Sequence, residues 1–392
     1  MKKILVFCDY YRPSLKAGGG MWTIANLVDR FSDRYEFHIV TRNYDSPGDT
    51  TPYTSVRTGE WNDLGNANVY YAAASDLTAD KCSILAEFVK PDAVFLNSVF
   101  STPVVKFLLA RQQQKTPGVG VVLAPCGELS EGALRSKRFK KKVYLAVAKA
   151  KGLYRDVIWK ASTDLESEEI RQVFGNDLHP FVAPDLTPLT ILPDFDVAQK
   201  PPKHAGAARF VFLSRIVPKK NLGFALRVFR NITAGKVVLD IVGPIEDGTY
   251  WRECEQLISE LPSNITVNVV GGVDYPTGLQ HLVDSHFFIL PTLNENFGYV
   301  FIESLAAGTP ILISDQTVWG NVSDQNVGWV ISLSESQRWN DVINNCVEMN
   351  ETQFVDMSSR ARDFAVTWLA DSEYEIATAR VIEAAIERTN AL

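Results

Sequence analysis

The chain has 392 residues, 46% of them hydrophobic and 22% charged, with a formal net charge of −7. That length favours two domains over one core, and the acidic balance argues against a general nucleic-acid binder, which is basic overall. Five scattered cysteines (Cys8, Cys82, Cys126, Cys254 and Cys346) with no CxxC pair fit reduced thiols better than a disulfide framework or a zinc site.

The start, Met1-Lys2-Lys3, is positive, but the apolar run Ile4 to Cys8 ends at Asp9 and is too short for a signal peptide. No stretch approaches the roughly 18 to 20 apolar residues that a membrane span needs. The expected location is the cytoplasm, with any membrane contact peripheral on its inner face.

Residues 3–8 form an apolar run without alternation, as in a strand buried on both faces of a parallel sheet. A triplet, Gly18-Gly19-Gly20, precedes a helical pattern (Trp22, Ala25, Leu27, Val28, Phe31) and a second strand at 35–41. Further buried strands are predicted at 92–96 and 118–124. From 178 to 205 six prolines interrupt any helix, so part of this stretch reads as an interdomain connection.

The second half restarts with a strand at 209–214 and a helix at 222–232, then strands at 237–242, 265–270, 286–290 and 310–314. Strands alternating with helices twice over imply an α/β chain of two Rossmann-like, doubly wound domains. The expected boundaries are 1–190, a proline-rich linker at 191–206, and 207–371, with a last helix at 372–392 returning to the first domain. Ligands of such sheets bind beyond the carboxyl ends of the strands, so the two sets of loops are expected around one cleft.

Glu295 and Glu303 stand eight residues apart within Pro291-Thr-Leu-Asn-Glu-Asn-Phe-Gly-Tyr-Val-Phe-Ile-Glu303. The spacing predicts Glu295 in a loop after a strand, and Glu303 in a helix opened by Asn296, Phe297 and Gly298. A helix start offers unpaired N–H groups to an oxygen-rich ligand, and carboxylates accept hydrogen bonds from vicinal hydroxyls. A capping Glu295 and a solvated Glu303 would give the same spacing. Upstream, Arg215 and Lys220 follow the strand at 209–214 in Ser-Arg-Ile-Val-Pro-Lys-Lys-Asn-Leu. Two cations there can clamp a diphosphate, Arg as a planar fork and Lys as a point charge.

Together these motifs resemble the retaining glycosyltransferases of the GT-B fold, family 4 (glycosyl transferases group 1). The resemblance rests on the Arg-Lys loop, Val242-Gly243-Pro244, Pro-Thr before Glu-Asn-Phe-Gly, and Ala306-Ala307-Gly308-Thr309-Pro310, and covers nearly all of 208–333. It implies a hexosyltransferase-type enzyme that moves a sugar from a nucleotide-sugar donor to a saccharide or lipid-linked saccharide acceptor, in polysaccharide or glycan assembly. Glu295, Arg215 and Lys220 would be catalytic. Gly18, Gly19, Gly20, Gly243, Asn296, Phe297, Gly298 and Glu303 would complete the donor site, with Glu303 on the ribose. The nucleotide sugar is a substrate, no cofactor is implied, and Arg215 with Lys220 replaces a metal.

Two departures stand out. Asp194-Phe195-Asp196 reads as a metal-binding DxD where relatives carry Pro-Asn-Gly-x-Asp, and is taken as coincidental. Cys126 occupies a position where many relatives carry His or Arg, and Glu128 beside it is an acceptor-side candidate. An epimerase of the same fold or a catalytically silent nucleotide-sugar-binding subunit are the alternatives.

Between Gly132 and Arg155 lie Arg135, Lys137, Arg138, Lys140, Lys141, Lys142, Lys149 and Lys151 with no Asp or Glu. Apolar residues recur among them at roughly helical spacing. A basic amphipathic helix reads as a membrane-surface element, so segment 135–155 is the expected peripheral membrane contact. A solvated helix face is the plainer alternative. No nucleic-acid partner is expected, because exposed stacking aromatics are not interleaved.

Overall fold

The computed structural model describes residues 1–14, 18–45, 49, 51–135 and 138–391; Lys137 and the side chains of Arg135 and Arg138 from the basic segment lie outside them. The chain divides into two compact units, Met1–Pro188 with Ser372–Leu392, and Leu189–Asp371.

The first unit holds β1 (Lys2–Phe7), β2 (Tyr35–Arg42), β3 (Trp61–Asp63), β4 (Asn68–Ala72), β5 (Ala93–Asn97), β6 (Val121–Ala124), β7 (Ile158–Ala161) and β8 (Phe181–Val182). Their order is β3-β4-β2-β1-β5-β6-β7-β8, parallel apart from β3 against β4. In β1 the alternating side chains divide between two cores: Leu5 and Phe7 face one, Ile4 and Val6 the other. Both faces are covered, which is why the run lacks polar alternation.

The last helix, Glu373–Ala391, packs Val381, Ile382 and Ala385 into the core that also holds Ile4 and Val6. Its polar contacts are specific. Arg30 donates to Glu375 at 2.6 Å, and the Thr389 hydroxyl donates to the Asp92 carbonyl at 2.6 Å while accepting from the Gly120 N–H at 2.8 Å.

The second unit holds β9 (Ala207–Leu213), β10 (Lys236–Val242), β11 (Ile265–Gly271), β12 (Phe287–Leu290), β13 (Ile311–Ser314) and β14 (Gly328–Ile331). The order is β11-β10-β9-β12-β13-β14, all parallel. Polar caps set where its helices start. Asp247 and Asp274 accept first-turn N–H groups, and Asn350 with Gln353 forms a capping box.

The proline-rich segment 191–206 is built into this unit. Ile191 is in its core. The buried Lys200 amine lies within hydrogen-bond distance of the carbonyls of Leu282, Val283 and Ala307 and of the Thr309 hydroxyl, four oxygens that share its N–H groups. Those carbonyls end two helices, Tyr275–Val283 and Tyr299–Ala306, where a cation meets the negative dipole end. Burial still drives the Lys200 amine well below its ordinary range. Lys203 caps the helix Ser336–Glu348 in the same way, through the carbonyls of Val347 and Met349.

In each sheet the chain reverses its direction of growth once, between β1 and β5 in the first and between β9 and β12 in the second. Such switch points open a crevice at the carboxyl ends of the strands.

Ile382 is 1% exposed. Ile382→Ala is expected to lower the unfolding free energy by about 2–4 kcal/mol in urea titrations. Amide exchange should accelerate in the first unit's sheet and not in β9 or β12.

Candidate functional site

The switch point of the second sheet is where its polar side chains converge. The loops after β9 and β12 are stitched together: the Lys219 carbonyl accepts from the Leu293 N–H at 2.9 Å and from the Thr292 hydroxyl at 3.1 Å. Asn221, in the left-handed region at φ 60°, donates to the Pro291 carbonyl at 2.9 Å. From the far side the Ser314 hydroxyl donates to the Thr292 carbonyl at 2.6 Å, and the Glu295 N–H to the Gln316 carbonyl at 3.0 Å.

That stitching delivers an ion pair. The Lys220 amine donates to the Glu295 carboxylate, with side chains only 12% and 15% exposed. Arg215, two residues past the end of β9, is exposed and donates to Glu246 at 3.0 Å. Gly243 is where the end of β10 passes the post-β9 loop. Its φ is +143°, and an added Cβ would stand 1.9 Å from the Ser214 carbonyl oxygen. Only glycine fits there.

The helix carrying Glu303 begins at Tyr299, with Gly298 as its N-cap at φ 84°. This corrects the expectation that Asn296 and Phe297 open the helix. Phe297 is buried against Trp319 and Trp368, and its carbonyl accepts from the Trp319 indole at 2.6 Å. A large aromatic anchored on both sides belongs to the core and fixes the loop instead of starting the helix. Gly298 leaves room for the Glu295 stem: a Cβ there would come to 3.0 Å from Glu295 Cγ and 2.5 Å from the Phe301 ring.

Glu303 lies partly buried on this helix beside Tyr275. Burial pushes its carboxyl up to about 7, and the hydrogen bond from Tyr275 pulls part of that shift back.

The first sheet has a matching arrangement at its own switch point. Gly18, at φ 60°, precedes the helix Gly19–Phe31. Asn97, at the end of β5, donates to the Gly20 carbonyl at 2.8 Å and accepts from the Cys126 thiol at 2.8 Å. Burial drives that thiol well above its ordinary range, so it stays protonated and able to donate. The Glu128 carboxylate is turned into its own unit, accepting from the Ser98 hydroxyl at 2.8 Å and the Val99 N–H at 2.7 Å. Burial raises its carboxyl, and these donors offset part of the rise.

Asp196 of the DxD accepts from the Ala198 N–H at 2.9 Å. Among the described residues no group of three or more His, Cys, Asp or Glu side chains is placed to hold a metal ion.

Sequence reasoning passed over Asn97, Asn221 and Tyr275. Asn97 had a readable signal, a lone amide ending the apolar run Ala-Val-Phe-Leu. Asn221 had one too, since Asn is among the few residues at ease in the left-handed region. Tyr275 had none, because its partner lies 28 positions away.

Residues 195–364 match the family model described as Glycosyl transferases group 1. They form a group 1 glycosyl transferase domain. Lys220, Gly243, Glu295 and Glu303 all fall inside the match. A D-inositol 3-phosphate glycosyltransferase of Jonesia denitrificans is 26% identical over 210 residues, 49% of this chain and 49% of that protein. The matched region thus spans about half the length of the curated relative.

Two solved structures show the same fold along nearly the whole chain. A sucrose-phosphate synthase (tll1590) from Thermosynechococcus elongatus has a TM-score of 0.70 at 15% identity, covering 97% of each chain. Anabaena Alr3699/HepE, in complex with UDP-glucose, has a TM-score of 0.65 at 17% identity, covering 98% of this chain and 99% of that one. The fold is that of the GT-B glycosyltransferases, two Rossmann-like α/β domains with parallel sheets.

The raised Glu303 carboxyl makes the group 1 domain's stability pH-dependent. At pH below its ordinary value of 4.5 the group is neutral whether folded or unfolded. Between there and about 7 the unfolded chain ionises while the folded chain keeps the proton, so stability falls as pH rises and levels off above that value. Glu303→Gln is expected to remove this component of the decline, read as the urea midpoint of the second unit against pH.

Proposed function

We propose that this protein is a retaining, metal-independent glycosyltransferase of hexosyltransferase type, transferring a sugar from a nucleotide-sugar donor to a saccharide or lipid-linked saccharide acceptor. The observation that carries the reading is the Lys220–Glu295 pair held across a switch point inside a group 1 domain. A cation fixed beside a carboxylate is what a sugar diphosphate needs: one group for the phosphate, the other for sugar hydroxyls.

In this reading Arg215 and Lys220 hold the diphosphate. Lys220 exchanges Glu295 for a phosphate oxygen, and Glu295 is released towards the sugar. Glu303, as a carboxylate, accepts from the ribose hydroxyls. The bond between the anomeric carbon and the phosphate oxygen breaks. The acceptor hydroxyl oxygen bonds to that carbon on the same face, and its proton passes to the departing phosphate. Charge grows on the leaving group during the step, and there preorganised cations contribute most.

Asn97, through Gly20 and Cys126, positions the glycine loop, and the acceptor is handled by the first unit. Glu128 serves that side indirectly, by shaping the Ser98–Phe100 loop. A nucleotide-sugar donor fits the cytoplasm, and glycan or polysaccharide assembly at the inner membrane face fits a lipid-linked acceptor. Among the described residues no helix is long and apolar enough to cross a membrane, so contact with lipid would be peripheral, through segment 135–155.

The first test is a thermal-shift screen of UDP-, GDP-, ADP- and TDP-sugars, beginning with UDP-glucose, since a bound donor raises apparent stability by mass action. Turnover of the donor that binds should fall about a hundredfold in Lys220→Ala and Glu303→Ala, and comparably in Arg215→Ala, with circular dichroism unchanged. Product should keep the donor's anomeric configuration by NMR, and EDTA should leave the rate intact. Loss of activity on chelation, restored by magnesium or manganese, would sink the metal-free mechanism. Conversion of the donor without any acceptor would favour the epimerase.

A further inference from the structure

The helix Arg138–Ala150 is apolar on the side that faces water. Its inner side is anchored: Leu145 and Ala148 are buried in the core, and Tyr144 hydrogen-bonds Tyr154 at 2.8 Å. Lys141 also belongs to this side, donating to the Ala133 carbonyl at 2.8 Å and lying 4.9 Å from the centroid of the Phe100 ring. The outer side carries Phe139, Val143 and Val147, which are 81%, 47% and 48% exposed. They stand four residues apart, so they form one stripe along the helix, with the exposed Ala146 and Ala150 filling it.

Lysines border the stripe on both sides. At about 100° per residue, Lys140 and Lys151 fall on one flank, and Lys142 and Lys149 on the other. All four are exposed, and Lys149 donates to the Val173 carbonyl. A solvent-facing helix normally reverses this layout, with apolar residues inward and charges outermost. An exposed contiguous apolar strip marks an interaction surface.

We infer that this face docks on an anionic lipid surface, with the helix lying in the membrane plane. Phe139, Val143 and Val147 enter the boundary of the acyl chains, and the flanking lysines extend their stems upward to place their ammonium groups among lipid phosphates. Charge complementarity selects this occupant. Lysine is depleted from protein–protein interfaces, whereas here it lines both edges of the apolar strip. A single-stranded nucleic acid would need a series of exposed aromatics, and the stripe offers one. The chain's net charge of −7 adds orientation: an anionic surface repels the acidic remainder and attracts this face.

The same helix reaches the loop after β5 through a relay: the Tyr144 hydroxyl donates to Tyr154, and the Tyr154 hydroxyl donates to the Val99 carbonyl at 3.1 Å. Only the link to a lipid-linked acceptor rests on the proposed transferase reading; docking stands without it.

The test is co-sedimentation of the whole chain with phosphatidylcholine–phosphatidylglycerol vesicles, beside pure phosphatidylcholine vesicles. The wild-type chain should pellet with the anionic vesicles only, and less as salt rises. Phe139→Glu combined with Val143→Glu should weaken partition by at least about tenfold, as should Lys140→Glu combined with Lys142→Glu. These are exposed positions, so circular dichroism should not change. Lys236→Glu, an exposed lysine of the second unit, should bind as wild type. Failure of the wild type to pellet, equal pelleting on neutral vesicles, or full binding by either double variant overturns the inference. Vesicle binding without sugar transfer would keep the docking surface and reject the transferase reading; the converse would do the reverse.

Discussion

The two hydrogen bonds received by the Lys219 carbonyl hold the loops after β9 and β12 in register. They join segments more than 70 residues apart in sequence, one following β9 and the other following β12. Parallel strand order makes this possible. Because β9 and β12 are neighbours while the chain between them crosses to β10 and β11, their following loops diverge to opposite sides and leave a gap. A backbone acceptor at 219 closes the base of that gap and leaves the next side chain, Lys220, aimed across it. Gly243 serves the same end by removing a Cβ where the Ser214 backbone must pass, and Gly298 by removing one where the Phe301 ring and the Glu295 stem lie. The site is thus a consequence of topology first and of side-chain chemistry second.

The first unit solves the equivalent problem by another route. Its gap between β1 and β5 is bridged by one buried amide, Asn97, which contacts the glycine loop and the Cys126 thiol together. Two residues flanking it, Ser98 at φ 89° and Cys126 at φ 55°, hold conformations that cost non-glycine residues energy. Glu128 offsets that cost at Ser98 through hydrogen bonds to the hydroxyl and the next N–H, and Glu166 binds the Gly127 N–H. Two carboxylates thus hold strained backbone at the carboxyl end of this sheet. The Cys126 thiol stands near Glu128, Glu166 and the Lys160–Asp185 pair and supplies a donor to Asn97 without adding charge.

How much of this the sequence revealed depended on the range of the interaction concerned. Strands β1, β9 and β12 are legible because burial on both faces leaves continuous apolar runs, a local signature. Lys220, Glu295 and Glu303 are legible because loop ends at a switch point carry short motifs. Phe297 misled because an aromatic beside Asn and Gly looks like part of a helix start, and only its partners Trp319 and Trp368, far along the chain, make it core. Glu128 could not be separated from a ligand-facing carboxylate, since its donors come from a loop 28 to 30 residues upstream. In the basic segment the excess of lysine was plain. Which apolar residues turn inward was not, because Tyr144 and Phe139 differ in their neighbours and not in their character.

The Lys220–Glu295 pair has consequences that follow from its burial alone. Two ions held mostly away from water have each lost solvation, and their mutual attraction offsets that loss. Remove either partner and the other is left charged with little to answer it, so neither side chain is independent of the other. In the proposed reading an incoming diphosphate changes the terms: it brings a stronger acceptor to Lys220 and, with the sugar attached, new hydroxyl donors to Glu295. Both ions then keep a partner throughout, and the exchange requires rotation of two side chains on a loop base already fixed by the Lys219 carbonyl. A free phosphate would satisfy Lys220 and strand Glu295. A sugar without its diphosphate would satisfy Glu295 and strand Lys220. On the proposed function, the pair would therefore select for molecules that carry both groups at once, before any contact with a base or ribose is made.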